Sequence, residues 1–276
     1  QKNVFARPYD NSYHMKMFCD IDKSMSINVI ILGSGTCVPS IRRSSPALLV
    51  CCMGKVLLLD AGSGTMRRLA EVGISIHDID LIFLSHFHPD HCADLVPFLF
   101  ATKYAFSQQR TRELHLMGGA GLHNLLSGFK KIFGKWIAPE GYHLHLHEAK
   151  GTVHLENVTL KTLPLTHSES SIGLRMEIPG DKAVVYSGDT DYCKNIVDLA
   201  QHADLLILEC SLPETMKVEG HLSPSLAGRI AQESRCKRLL LTHFYPPCDE
   251  HDLIEEAKRE FSGEVILAED LMKIEV

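Results

Sequence analysis

The segment Ser85-His86-Phe87-His88-Pro89-Asp90-His91 places three histidines and a carboxylate next to one another. Imidazole nitrogens and carboxylate oxygens are donors that Zn²⁺ takes readily. The residues before it, Ile79 to Leu84, form a short apolar run that reads as a buried strand. Those after it, Cys92 to Pro97, read as the start of a helical region that runs to about Gln109, and a further helix is read from about Asp249 to Phe261. In an extended turn His86 and His88 alternate, so they can share one face. Asp90 and His91 follow the bend at Pro89, so they can point at a second ion. A solvated, His-rich turn is the plain alternative. The density of the pattern and its partners later in the chain argue against that.

Those partners stand where other predicted strands stop. Lys55–Leu59 ends in Asp60, Val158–Leu163 runs to His167, and Ala183–Tyr186 runs to Asp189. Leu205–Leu208 ends in Glu209, and Arg238–Leu241 leads to His243. Strand ends that repeatedly deliver ligand-type side chains imply sheet edges converging on one cleft. Asp60 would sit behind a metal-bound imidazole and orient it; capping the helix Met66–Val72 is the competing reading. His221, in Gly220-His221-Leu222-Ser223-Pro224, precedes a helix predicted over 225–234. It is read either as a functional imidazole or as the cap of that helix.

The 276 residues fit one large α/β domain, and 45% hydrophobic content is ample for its core. Residues 1–24 read as an N-terminal extension and 25–276 as one domain. A net charge of −6 gives no global attraction to nucleic acid or to anionic membrane. The nine cysteines show no CxxC and no regular spacing. This argues against a disulfide framework and for a reducing compartment, the cytoplasm. No apolar run reaches membrane-spanning length, and the N-terminus lacks a signal-peptide layout.

Weaker candidates remain. Gly33 and Gly35 lack the third glycine of a dinucleotide turn. Arg42 and Arg43 would meet a phosphate or lie in a solvated loop. Lys130, Lys131 and Lys135 lie on or near the polar face of a helix predicted from Leu122 to Phe133. They form the one local candidate for a polyanion patch, against the plainer reading of an amphipathic surface helix. Tyr142–Glu148 alternates as a strand with His143, His145 and His147 outward, where a separate metal site is a minor reading.

From about Ser26 onward the chain resembles the metallo-β-lactamase fold superfamily. The resemblance rests on Asp60, the His86-x-His88-x-Asp90-His91 cluster, His167, Asp189 and His243, in that order. It implies an α/β (α+β) architecture, a four-layer αβ/βα sandwich with metals at one sheet rim. His86, His88 and His167 would hold a first metal; Asp90, His91 and His243 would hold a second; Asp189 would bridge them. The implied cofactor is a pair of Zn²⁺ ions, although the same donors admit Mn²⁺ or Fe. Two such ions about 3.5–4 Å apart can activate a bridging water as hydroxide. Asp189 stands where β-lactamases commonly carry Cys or Ser, and His88 where flavodiiron proteins usually carry Glu. Both activities are therefore disfavoured.

Two features are similar to the ribonuclease Z-like phosphodiesterase branch. One is Ile31-Leu32-Gly33-Ser34-Gly35-Thr36-Cys37-Val38-Pro39-Ser40 with Arg43 and Ser44 downstream; the other is Glu209 paired with His221. The catalytic set this implies is Asp90, His221 and Glu209. His221, steadied by Glu209, would donate a proton to the leaving oxygen. The implied partners are a phosphodiester, with tRNA or other RNA among the candidates, and a second copy in a homodimer. One departure matters: ribonuclease Z enzymes of the usual short form carry a long tRNA-gripping arm between the positions of His167 and Asp189. Residues 168–188 here suffice only for two short strands. Phosphodiesterase chemistry is thus better supported than a tRNA substrate. The alternative is a metallohydrolase of a carboxyl-type bond, such as a thioester, lactone or other ester, with the same ligands. A non-catalytic metal-binding scaffold ranks third.

Overall fold

The computed structural model describes residues 26–105, 109–148 and 151–276; the expected N-terminal extension lies outside the described residues. Strands dominate because the chain offers runs of aliphatic residues with few breakers. The first sheet contains β1 (Ile27–Gly33), β2 (Ala47–Cys52), β3 (Lys55–Leu59), β4 (Leu81–Leu84), β5 (Leu114–Gly118) and β6 (Leu144–Glu148). The second contains β7 (Gly151–Leu155), β8 (Val158–Pro164), β9 (Ile172–Ile178), β10 (Lys182–Tyr186), β11 (Leu205–Glu209), β12 (Arg238–Thr242) and β13 (Glu264–Leu267). The last strand, β14 (Lys273–Glu275), returns to the first sheet and pairs antiparallel with β1. The strand orders are β14-β1-β2-β3-β4-β5-β6 and β13-β12-β11-β10-β9-β8-β7.

Both sheets are mixed. β3 to β6 run parallel, as do β10 to β13, whereas the hairpin regions β1–β3 and β7–β10 are antiparallel. The central parallel strands β4 (LIFL) and β11 (LLILE) are buried throughout. Helices or the other sheet cover each of their faces, so their sequences are continuous apolar runs. β1 shows the division: Ile27, Val29 and Ile31 join the core that contains the second sheet's residues, while Ile30 and Leu32 join the other core. That second core lies under α1 (Thr65–Glu71), α3 (Leu95–Tyr104) and α4 (Leu122–Phe133), separated from the first by the sheet itself. A short helix, α2 (Pro89–Cys92), lies between α1 and α3 in the chain. α5 (Lys194–Leu199), α6 (Pro224–Ser234) and α7 (Leu253–Lys258) pack against the second sheet. Two mixed sheets with flanking helices make the four-layer α/β sandwich that the sequence implied.

Two expectations need correction, and one strand was not foreseen. The helix expected to run to about Gln109 ends at Tyr104, with Ala105 extended, and residues 106–108 lie outside the described residues. The helix expected from Asp249 to Phe261 spans only Leu253–Lys258 and follows a 3₁₀ turn over Pro246–Glu250. Prolines 246 and 247 favour that turn, and Asp252 restarts the backbone as an N-cap, its side chain accepting from Glu255 N at 2.9 Å. β14 was not anticipated. It is three residues long with only Ile274 buried, too short for an alternation signal.

Candidate metal centre

In a sheet of parallel strands the carboxyl ends share one rim, and crevices outside them are where ligands bind. β3 and β4 of the first sheet end at Leu59 and Leu84; β10, β11 and β12 of the second end at Tyr186, Glu209 and Thr242. Asp60, His86, Asp189, Glu209 and His243 therefore arrive together.

The structure brings the expected donors into two groups that meet at Asp189. One holds His86, His88, His167 and Asp189; the other holds Asp90, His91 and His243. Asp189 Oδ2 lies 3.8 Å from His86 Nε2 and 3.8 Å from His167 Nε2. Its Oδ1 lies 3.3 Å from His91 Nε2 and 3.4 Å from His243 Nε2. His88 Nδ1 is 3.2 Å from His167 Nε2, and Asp90 Oδ2 is 3.8 Å from His243 Nε2. His86, His91, His243 and Asp189 are buried, whereas His88 lies open to solvent at the mouth.

The outer ring nitrogens are held from behind. Asp60 Oδ2 accepts from His91 Nδ1 at 2.8 Å, the Gly220 carbonyl accepts from His167 Nδ1 at 2.8 Å, and Ser211 Oγ contacts His243 Nδ1 at 2.9 Å. Ser85 Oγ contacts His86 Nδ1 at 3.1 Å. Such contacts fix tautomer and ring orientation, leaving the Nε2 atoms directed inward. Asp60 is itself locked: Ser85 N, Ser85 Oγ and Tyr186 Oη donate to it at 2.7, 2.8 and 2.6 Å. Its φ is 58° and that of His243 is 64°, the left-handed region that non-glycine residues seldom adopt. Strain of that kind clusters where a side chain must be aimed. Capping is excluded for Asp60, because Gly64 is the N-cap of α1.

The electrostatics call for positive charge at the centre. Burial disfavours a charged His91, yet Asp189 and Asp60 outweigh it and raise its pKa well above the ordinary value. Burial likewise works against an ionised Asp189, but His243, His91 and His86 hold its pKa well below the usual range. Burial, with His91 adding to it, pushes His86 down to about 2, so its ring is a neutral donor. Among the described residues, His86 Nε2 and Asp189 Oδ1 are buried side-chain atoms without a hydrogen-bond partner. An unsatisfied buried polar atom costs about 1–3 kcal/mol. Two orphaned donors facing a common centre, in an imidazole–carboxylate set, fit divalent cations of the Zn²⁺ class.

Beside the centre, His221 Nδ1 donates to Glu209 Oε1 at 2.8 Å. Burial opposes a charged His221, but Glu209 wins and raises its pKa. The cap of α6 is Ser223, not His221. Glu209 is buried and also accepts from Thr190 N at 3.0 Å and Ser211 N at 3.1 Å. Ser211 is a residue that sequence reasoning missed. Its Oγ donates to Glu209 Oε2 at 2.6 Å and touches both His221 Nδ1, at 3.0 Å, and His243 Nδ1. It thereby links the His–Glu pair to the metal-facing set. Its position two residues past Glu209 at a strand end was the available signal.

The Arg43 guanidinium is engaged by groups of the chain itself. It donates to Ser34 Oγ and the Ala268 carbonyl, pairs with Asp249 at 2.9 Å and lies over the Phe244 ring. Arg42 is exposed. Lys130, Lys131 and Lys135 are exposed at the end of α4 and just beyond it.

Residues 27–264 match the family model described as anti-Pycsar protein Apyc1. The chain belongs to that family. An uncharacterized protein of Mycobacterium tuberculosis is 31% identical over 248 residues, 87% of this chain and 89% of the relative. Ribonuclease Z of Archaeoglobus fulgidus is 28% identical over 305 residues, covering 91% and 98%. Among solved structures, the metallo-β-lactamase fold protein YhfI from Bacillus subtilis superposes with a TM-score of 0.78 at 26% identity, covering 92% of this chain and 100% of that one. The short form of human tRNase Z gives 0.73 at 26% identity, covering 90% and 98%. This member of the Apyc1 family thus has the metallo-β-lactamase fold and is a metal-dependent hydrolase with ribonuclease Z-like relatives.

Proposed function

We propose that this chain is a dinuclear, zinc-dependent phosphodiesterase that acts on a small phosphodiester in preference to precursor tRNA. The observation that carries the reading is the placement of Asp189, whose Oδ2 faces His86 and His167 while its Oδ1 faces His91 and His243. His86, His88 and His167 would hold one ion, Asp90, His91 and His243 the other, and Asp189 both. When bound, the ions supply Lewis-acid charge and water of lowered pKa.

The chain's own groups supply the rest. Asp60 keeps His91 aimed inward through its bond to Nδ1. The buried Glu209 holds the Nδ1 proton of His221. This leaves Nε2 as the nitrogen that would deliver a proton to the departing alkoxide. A general acid pays off in phosphodiester cleavage because an unprotonated alkoxide is a poor leaving group. The substrate preference rests on the segment between His167 and Asp189, which β9 and β10 fill as a plain antiparallel hairpin. No arm for an RNA duplex extends from it, and the net charge of −6 offers no compensating field.

The test compares turnover of bis(p-nitrophenyl) phosphate and of a precursor tRNA with a 3′ trailer by zinc-loaded protein. Hydrolysis of the small diester alone is expected. Efficient cleavage of both would restore the tRNA reading, and the helix bearing Lys130 and Lys131 would become the place to seek the RNA grip. Activity on neither would shift the reading to thioesters, lactones and other esters.

A further inference from the structure

We infer that the β5–β6 edge of the first sheet carries a second, separate transition-metal site, formed by Glu113, His115 and His145 with His147 beside them. The parallel register pairs Leu114 with Leu144, His115 with His145, Leu116 with Leu146 and Met117 with His147. Side chains alternate along a strand. Leu114 and Leu116 are buried in the core under α4, and Leu144 and Leu146 pack against that core. The histidines must therefore emerge together on the opposite face, the one whose Met117 joins the core shared with the second sheet.

The side chains have converged there. His145 Nε2 lies 3.1 Å from Glu113 Oε2, and His115 Nδ1 lies 2.9 Å from His147 Nε2. The His115 ring stacks on His145 at 4.6 Å and on His147 at 5.2 Å. One donor atom from each of Glu113, His115 and His145 falls within 4.8 Å of the others. Donors around a tetrahedral Zn²⁺ stand about 3.3 Å apart, given Zn–N bonds of about 2.0–2.1 Å, so closing the set requires the stacked His115 and His145 rings to turn their in-plane lone pairs toward a common point. Burial, with His145 and His147 adding to it, lowers His115 to about 4, and burial also lowers His147. Both rings are thus neutral donors at physiological pH. Lys55 opposes a cation, but its ammonium is paired with Glu156 at 2.6 Å.

The cluster is distinct from the principal centre. His115 is level with Leu81 of β4, three residues short of the strand end that leads to His86, a distance of roughly 10 Å along the sheet. Two imidazoles and one carboxylate select a divalent ion of borderline softness: Zn²⁺, Ni²⁺ or Cu²⁺. Bound there, the ion would clip the edge strand β6 to β5.

The test uses the full chain, stripped of metal and titrated with Zn²⁺ by calorimetry, with metal analysis after gel filtration. Wild type should bind one Zn²⁺ per chain more than the His115→Ala/His145→Ala variant, with bis(p-nitrophenyl) phosphate turnover unchanged. Glu113→Gln, a milder change at an exposed position, should weaken that one event about tenfold or more and leave the fold intact. In an Asp189→Ala background, which would empty the principal centre, the extra Zn²⁺ should persist. Equal stoichiometry in wild type and the double variant would overturn the proposal. So would an extra event weaker than about 100 μM, which would mark ordinary surface chelation by histidines.

Discussion

Asp189 presents one oxygen to each donor group, so Asp189→Ala withdraws an anionic ligand from both at once. The expected result is loss of metal from the principal centre, read by metal analysis of protein purified without chelators. Retention of two ions there would sink the bridging assignment. His221 belongs to neither principal group, although with Asp189 and His243 it forms a third set whose donor atoms lie within 4.8 Å of one another, and its Nδ1, held by Glu209, lies 3.9 Å from Asp189 Oδ2. His221→Ala should therefore keep the metal while lowering kcat on a phosphodiester by about 10²–10⁴-fold, the usual worth of a general acid. Turnover that survived the change would reassign the acid, and metal lost with it would make His221 a ligand. His86, His88, Asp90 and His91 were legible in the sequence as candidate ligands because they are neighbours in the chain. Ser211 was not, since an isolated serine acquires its role only from meeting Glu209, His221 and His243 in space.

At the scale of elements, the centre depends on how closely β4 and β10 can bring their ends together. Gly188, between β10 and Asp189, has φ +61°, and a Cβ there would collide with the Ser85 side chain. Ser85 in turn donates to Asp60. Gly188→Ala combines a left-handed backbone with overpacking, so it should cost about 1–3 kcal/mol and disturb the Asp60–His91 alignment. Urea denaturation of the metal-free protein reads the first effect, and zinc affinity reads the second. An unchanged midpoint and affinity would show that the turn has room. The strands that carry the ligands were legible as apolar runs. The shortened C-terminal helix and β14 were not, because a 3₁₀ turn and a three-residue edge strand lack a periodic pattern.

For the whole molecule, the candidate ligands come from both halves of the sandwich. His86, His88, Asp90 and His91 follow β4 of the first sheet; His167, Asp189 and His243 follow β8, β10 and β12 of the second. Metal binding would tie the two sheets at their shared rim, and it would stabilise the native state by mass action. Zinc at about 1,000 times its Kd is worth about 4.1 kcal/mol. A chelated sample should therefore melt lower by roughly 8–16 °C, and zinc should restore it. Differential scanning calorimetry with and without chelator measures the shift, and an unmoved Tm would argue against a metal that bridges the sheets. The sequence by itself determined the donor types, their order and their placement at strand ends, because spacing and side-chain alternation are local properties of a chain. It also determined the absence of room for an arm between His167 and Asp189, a matter of length. Only the tertiary structure decided that Asp60 backs His91 rather than capping a helix, and that Arg43 braces Ser34, Ala268 and Asp249. It also decided that Ser211 links the His–Glu pair to the centre, and that Glu113 and His115 face His145. Each of these is a contact between segments apart in sequence, set by how strands pair and pack rather than by any neighbour in the chain.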